Sequence, residues 1–106
     1  MAYISSPGGY GAGNIKRPTL PGDFTAAHAS QTEINLSWTE VGSPKFVQIE
    51  RSLTDGNYVN IATVLGGVGV YADTGLTAGT QYFYRFRQLD RLKWSDYEKS
   101  NDTTDA

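Results

Sequence analysis

Residues 81–89 read QYFYRFRQL, a run in which aromatic side chains recur at every second position. In an extended chain this period places three aromatic residues on one face, namely Tyr82, Tyr84 and Phe86. The opposite face carries one aromatic residue and two cations, namely Phe83, Arg85 and Arg87. The run therefore predicts an antiparallel β-strand that buries one face and exposes the other.

The same alternation recurs in TEINLSWT (residues 32–39) and KFVQIERSL (45–53), and a further stretch rich in strand-forming residues is NYVNIATV (57–64). The last of them follows Asp55-Gly56-Asn57, which is a signal for a tight turn. No segment sustains a helical apolar stripe with capping residues at both ends. About seven short strands separated by turns predict an all-β, seven-stranded Greek-key β-sandwich.

Residues 76–82, LTAGTQY, resemble the tyrosine corner of fibronectin type III domains. Further similar segments follow in the family's order: Pro21 with FTA at 24–26, INLSW at 34–38, IERS at 49–52 and YADT at 71–74. The resemblance implies an immunoglobulin-like sandwich in which the hydroxyl of the corner tyrosine bonds nearby backbone. It also implies the structural positions of the buried tryptophan and of the corner, namely Trp38, Leu76, Gly79 and Tyr82.

The resemblance covers roughly residues 18–104 and implies an adhesive or spacer module rather than an active site. Two places depart from the family's pattern. The last hairpin, at residues 90–95, contains no glycine, and Val47 stands where the family often has an aromatic residue. Either Tyr58 or Tyr84 is expected to fill the space beside Val47.

Length and composition exclude several classes of function. At 106 residues the chain is sized for one domain. Its net charge of −2 provides no basic field to attract nucleic acid. No apolar run approaches the ~20 residues that insert into a membrane, and the absence of cysteine excludes thiolate metal sites. The first residues lack a secretory signal, which predicts synthesis in a cytoplasm if Met1 is the native start.

The residues offer little for catalysis, for a metal or for another cofactor. Nucleophilic catalysis needs an oriented base, and the single histidine, His28, is interpreted as a solvated residue on the edge of the first strand. The acids form no calcium loop, and Asp73 is interpreted as a turn residue that bonds backbone amides. Residues 65–69, LGGVG, are interpreted as a strand-to-strand connection, because no following helix or lysine supports a phosphate cradle. A non-catalytic protein without cofactors is therefore predicted.

Residues 1–20 are predicted to form an N-terminal arm that precedes a domain over residues 21–106. Four glycines and three prolines lie in residues 1–21, and the apolar residues there follow no period. Such a segment cannot offset its ordering entropy by itself. One interpretation is a solvated tail. The other is an attachment arm that adds a strand to a neighbouring subunit through Tyr3, Ile4, Tyr10, Ile15 and Arg17.

Two surface features have a functional and a structural interpretation. Trp94 lies beside Arg91 and Lys93, which predicts a site for a protein partner or a glycan. The alternative is that Trp94 covers the core at a sheet edge. Phe46 and Phe83 point away from the predicted core, which predicts an outward apolar docking patch on neighbouring strands. The alternative is cross-strand pairing that only stabilises the sheet.

The resemblance, the arm and the missing signal lead to two hypotheses of function. The first is a structural protein of a tailed-bacteriophage virion, on the capsid, tail or fibre. It would dock onto other protein subunits through its arm and display the domain for adhesion, with cell-surface carbohydrate as a second partner. The second hypothesis is a spacer or carbohydrate-contacting accessory module of a larger secreted bacterial enzyme, which would place the chain outside the cell. Both hypotheses exclude nucleic acid and membrane insertion.

Overall fold

The computed structural model describes residues 22–90 and 93–106. The predicted arm, with Tyr3, Ile4, Tyr10, Ile15 and Arg17, lies outside the described residues, as does Arg91. The described chain forms eight strands. In chain order they are β1 (Gly22–His28), β2 (Ile34–Thr39), β3 (Phe46–Ser52), β4 (Val59–Leu65), β5 (Val70–Asp73), β6 (Gln81–Asp90), β7 (Lys93–Trp94) and β8 (Glu98–Thr103).

The strands form two antiparallel sheets that enclose one core. The smaller sheet has the order β1-β2-β5. The larger sheet has the order β4-β3-β6-β7, and β8 also pairs with β6. This arrangement confirms the predicted all-β sandwich. In the described part of the chain, no helix is long and apolar enough to cross a membrane.

The structure has one strand more than predicted, because the last strand is divided in two. β7 and β8 both pair with β6. Between them lies Ser95, whose amide donates to the Gln88 carbonyl at 2.8 Å. The Ser95 Oγ accepts the Gln88 amide at 2.9 Å. The Ser95 hydroxyl oxygen thus replaces a backbone carbonyl as the acceptor of the Gln88 amide. This interrupts the backbone hydrogen bonding between β6 and the last strand.

The core consists of the residues that alternate inward from both sheets. Trp38 is 6% exposed, and its ring lies 5.5 Å from that of Phe86. Phe86 also contacts Phe24, with 4.3 Å between the ring centroids. Burial of each such side chain stabilises the fold by about 1.5–3 kcal/mol. The predicted inward face of β6 is confirmed by the burial of Tyr82, Tyr84 and Phe86.

The tyrosine corner lies where the sequence places it. The Thr77 amide donates to the Tyr82 hydroxyl oxygen at 3.0 Å, and Leu76 is buried beside it. Gly79 has a φ of 60°, which a residue with a side chain rarely adopts. Its amide donates to the Asp105 carbonyl at 2.8 Å. The corner therefore links the entry of β6 to the C-terminal segment.

The interpretation of Asp73 as a turn residue was wrong, because this residue is buried between the sheets. Asp73 pairs in register with the core residue Ile34, so its side chain points inward. Its carboxylate accepts hydrogen bonds from Arg51 at 2.8 Å and from the Tyr84 hydroxyl at 2.7 Å. Burial and the hydrogen bond to Asp73 raise the pKa of Tyr84. The prediction that Tyr58 or Tyr84 fills the space beside Val47 was also wrong. Tyr84 pairs with Arg51, whereas Val47 pairs with the buried Gln88, four positions further along β6.

The glycines of residues 66–69 form the connection between β4 and β5. A Cβ on Gly66 would lie 1.8 Å from the Pro44 carbonyl oxygen, so no other residue fits without a backbone shift. Gly67 and Gly69 have φ values of 94° and 77°. The Gly67 amide donates to a Glu40 carboxylate oxygen at 2.7 Å. Because a carboxylate occupies that amide, the turn is not arranged to bind phosphate.

Candidate docking face on the larger sheet

The outward-pointing side chains of β6 lie beside those of β3, its neighbour in the larger sheet. Arg85 pairs in register with Glu50, and Arg87 pairs with Gln48. At one end of this face Phe83 pairs with Ser52. The face is therefore built from two arginines, each opposite one polar residue of the neighbouring strand.

Aromatic rings and cations alternate in one row across this face. The row, here called the aromatic–cation ladder, contains in spatial order Trp94, Arg87, Tyr97, Arg85, Tyr58 and Lys99. The Arg87 Cζ lies 4.5 Å from the ring centroid of Trp94 and 4.9 Å from that of Tyr97. The Arg85 Cζ lies 3.9 Å from the centroid of Tyr97 and 4.4 Å from that of Tyr58. These distances are those of cation–π contacts.

Arg85 forms an ion pair beneath the ladder. Its Nε donates to a Glu50 carboxylate oxygen at 2.6 Å, and the other oxygen accepts the Tyr97 hydroxyl at 3.1 Å. Glu50 is only 7% exposed. Partial burial and the bond to Glu50 raise the pKa of Tyr97. The charge of Arg85 is therefore balanced within the chain.

Lys99 at the end of the ladder is balanced in the same way. Its Nζ lies 3.2 Å from an Asp55 carboxylate oxygen. The Tyr58 hydroxyl donates to the same carboxylate. Partial burial, and to a smaller extent this hydrogen bond, raise the pKa of Tyr58 to about 12. The hydrogen bonds from Tyr58 and Lys99 lower the pKa of Asp55, which stays ionised.

Arg87 differs, because the residue opposite it is neutral. Its Nε donates to the Gln48 side-chain oxygen at 2.9 Å. Among the side chains of residues 23–89 and 93–106, no carboxylate forms an ion pair with Arg87. Arg87, the cation next to the terminal Trp94, thus has two aromatic neighbours and no ion pair with a described carboxylate.

Only some of the residues predicted to bind a partner or a glycan lie together on this face. Trp94 belongs to the ladder and stacks on Arg87, while Lys93 is exposed on the other side of β7, since neighbours in a strand point in opposite directions. Phe46 pairs with Leu89, six positions along β6 from Phe83. This separation is about 20 Å at the rise of a strand. The prediction that Phe46 and Phe83 form one apolar patch was therefore wrong, because the two arginines lie between them.

Sequence reasoning missed Tyr58 and Tyr97 as parts of the ladder. Tyr58 opens a stretch predicted as a strand but precedes β4, and Tyr97 precedes β8, so no alternation places either ring beside Arg85. Both reach Arg85 only through the pairing of β3, β6 and β8. The one available signal was the pair of arginines two residues apart on the outward face of β6.

Other surface features of the described chain provide no catalytic arrangement. A cleft of about 510 Å³ lies between the β3–β4 turn and Tyr82. The charged residue that lines it, Arg51, forms an ion pair with Asp73. His28 is half exposed and lies beside two carboxylates, with 2.8 Å between Nδ1 and an Asp102 oxygen. Among the described residues, no group of three His, Cys, Asp or Glu side chains could hold a metal ion.

Two chitinases are similar to the chain in sequence, Chitinase 63 of Streptomyces plicatus and Chitinase C of Streptomyces lividans. Each is 38% identical over 73 residues, which are 69% of this chain and 11% of the chitinase. The chain therefore spans about a tenth of the length of these relatives. No family model matches the sequence.

Three of the solved structures with similar folds are chains of about the same size as this one. FN3tt has a TM-score of 0.75 and 25% identity, and the match covers 86% of this chain and 98% of FN3tt. A Fn3-like protein from Clostridium thermocellum has a TM-score of 0.72 and 25% identity over 81% of this chain and 92% of that one. The fn3 domain of human collagen alpha-1(XX) has a TM-score of 0.76 and 16% identity, with coverage of 90% and 92%.

Proposed function

The described chain is a fibronectin type III domain, and from this premise we propose that it is a non-catalytic module of a larger enzyme that degrades a polysaccharide. The observation that carries the proposal is the 38% identity to a segment that makes up 11% of two chitinases. A match of this length corresponds to one module, not to a whole enzyme. Chitin is an insoluble polymer, so such an enzyme works outside the cell.

Within such an enzyme, we assign the domain a spacer and docking role rather than the capture of sugar by stacking. A sugar ring stacks on an open aromatic face, but Tyr97 has two guanidinium groups within 4.9 Å of its ring centroid. Tyr58 likewise has Arg85 at 4.4 Å and Lys99 at 5.8 Å. The cations that hold the ladder together therefore compete with a glycan for the same ring faces.

The alternative, a virion protein that docks through its arm, remains a prediction. It is based on residues 1–20, which lie outside the described part of the chain. The relatives named above do not favour it, since both are chitinases.

The natural gene separates the two proposals. We expect the reading frame to continue beyond these 106 residues into a catalytic domain. Deletion of the fibronectin type III domain from that enzyme should slow hydrolysis of insoluble chitin several-fold while hydrolysis of soluble chitin oligosaccharides stays unchanged. Equal loss on both substrates would contradict a spacer role. A frame limited to this chain, with the product co-purifying with phage particles, would overturn the enzyme proposal in favour of the virion.

A further inference from the structure

Arg85 and Arg87 occupy equivalent positions in the sheet but have different partners. Both lie on the outward face of β6, and each donates through Nε to the β3 residue directly opposite. For Arg85 this residue is the carboxylate Glu50, whereas for Arg87 it is the neutral amide Gln48. The chain thus supplies an anion to one arginine and leaves the other with its charge unpaired in the described structure.

The Arg87 guanidinium keeps most of its hydrogen-bonding capacity. An arginine side chain carries about five N–H donors, and the one hydrogen bond that the Arg87 guanidinium donates to a side chain of residues 23–89 or 93–106 is from Nε to Gln48. The planar group stacks over both Trp94 and Tyr97, which limits its rotation. The terminal nitrogens therefore form a fork that is held in place before a ligand arrives, and preorganisation of this kind favours binding.

A carboxylate is the ligand that matches this fork. Guanidinium and carboxylate are both planar, and they form two parallel charge-assisted hydrogen bonds. Two of the three cations in the ladder form ion pairs, Arg85 with Glu50 and Lys99 with Asp55, whereas Arg87 forms none with a described side chain and is the cation that an incoming anion would pair with. Chitin carries no carboxylate, so a chitin chain would leave this charge unpaired.

A protein is the source of carboxylate that the surroundings favour. Tryptophan, tyrosine and arginine are the residues that dominate binding energy at protein interfaces, and here Arg87 contacts both Trp94 and Tyr97. We infer that Arg87, stacked on Trp94 and Tyr97, binds the carboxylate of an Asp or Glu side chain on a partner protein. This inference does not depend on the proposed role in a chitinase.

The test uses the full chain, labelled with nitrogen-15, and hexaglutamate as the probe. Titration is followed by NMR through the arginine Nε–Hε signals, and the Arg87 signal is identified by its absence in Arg87→Lys. We expect the Arg87 signal to shift saturably and the Arg85 signal to stay in place, since Glu50 already occupies Arg85. Added salt should weaken the interaction because it is electrostatic.

Gln48→Glu is the decisive variant, because it places a carboxylate opposite Arg87 without removing any ring or cation. We expect it to weaken hexaglutamate binding at least about tenfold, since the new side chain competes for the same donors. Glu50→Gln is the matched control, which should keep the Arg87 response and add a response at Arg85. Unchanged backbone amide signals show that each variant is folded, and Arg87→Lys provides a second loss-of-fork variant.

Three results would overturn the inference. One is hexaglutamate binding by Gln48→Glu that equals binding by the parent protein. The second is a lack of any shift of the Arg87 signal. The third is an equal or stronger response to inorganic phosphate or to polygalacturonate, which would show a general anion site or a site for an acidic glycan instead of a protein carboxylate.

Discussion

Two clusters of the same chemical composition lie on opposite faces of the larger sheet. Inside the sandwich, Asp73 accepts hydrogen bonds from Arg51 and Tyr84. Outside, a carboxylate accepts them from an arginine and a tyrosine as well, namely Glu50 from Arg85 and Tyr97. Both carboxylates are nearly inaccessible, with Asp73 at 4% and Glu50 at 7% exposure.

The clusters differ in what they connect. The inner cluster joins β5 of the smaller sheet to β3 and β6 of the larger one, so it links the two layers. The outer cluster joins β3, β6 and the segment before β8, all within one sheet. The same groups therefore contribute to sheet-to-sheet packing on one side and to a binding surface on the other.

Asp73→Asn should have the largest effect, because it removes the charge that balances Arg51 between the sheets. We expect the free energy of unfolding in urea to fall by about 2–4 kcal/mol, at the lower part of the usual range because Arg51 is one-third exposed. Glu50→Gln is the same chemical change on the outer face and should cost about 1 kcal/mol, because Arg85 keeps its cation–π contacts with Tyr58 and Tyr97. Equal losses would contradict the distinction between the two clusters.

Tyr82→Phe should have the next largest effect on stability, since it removes the acceptor of the Thr77 amide at the corner. A loss of about 1–3 kcal/mol in the free energy of unfolding is expected for an amide left without a partner. Tyr97→Phe removes a hydroxyl on the outer face and serves as the control, with a smaller loss. An unchanged free energy of unfolding in Tyr82→Phe would show that the corner hydrogen bond does not stabilise the fold.

Trp94→Ala should affect stability less than either substitution inside the sandwich. Trp94 contributes one cation–π contact with Arg87, which corresponds to about 0.5–1 kcal/mol. Thermal unfolding measures this change, and hexaglutamate titration should show weaker binding. A fall in melting temperature as large as that of Asp73→Asn would mean that Trp94 covers the core.

The smallest effect concerns pH and His28, on the edge of the smaller sheet. The hydrogen bond and charge of Asp102, with the charge of Asp105, raise the pKa of His28 above its ordinary 6.5. Folding therefore favours the protonated ring, and this contribution is complete below pH 6.5 and is lost as the pH rises through the raised pKa. Urea unfolding from about pH 5.5 to about pH 9 should show this decline in the parent and not in His28→Ala. A steeper decline in His28→Ala would contradict the assignment to His28.

The strand pattern and the tyrosine corner could be predicted because both are encoded by residues close together in sequence. Tyr82, Tyr84 and Phe86 alternate inward, and all three are buried. The inward position of Asp73 could not be predicted in this way, since an aspartate near a turn is equally well explained by hydrogen bonds to the backbone amides of that turn. Its real partners, Arg51 and Tyr84, are 22 and 11 residues away and lie on the opposite sheet.

The sequence by itself determined the all-β sandwich, the direction in which β6 faces and the alternation of Phe83, Arg85 and Arg87 on its outer side. These properties follow from a period of two that each strand carries alone. Only the tertiary structure decided which residues meet on that side. Strand register paired Arg85 with Glu50 and Arg87 with Gln48 and separated Phe46 from Phe83, because register depends on all neighbouring strands at once and not on any single one.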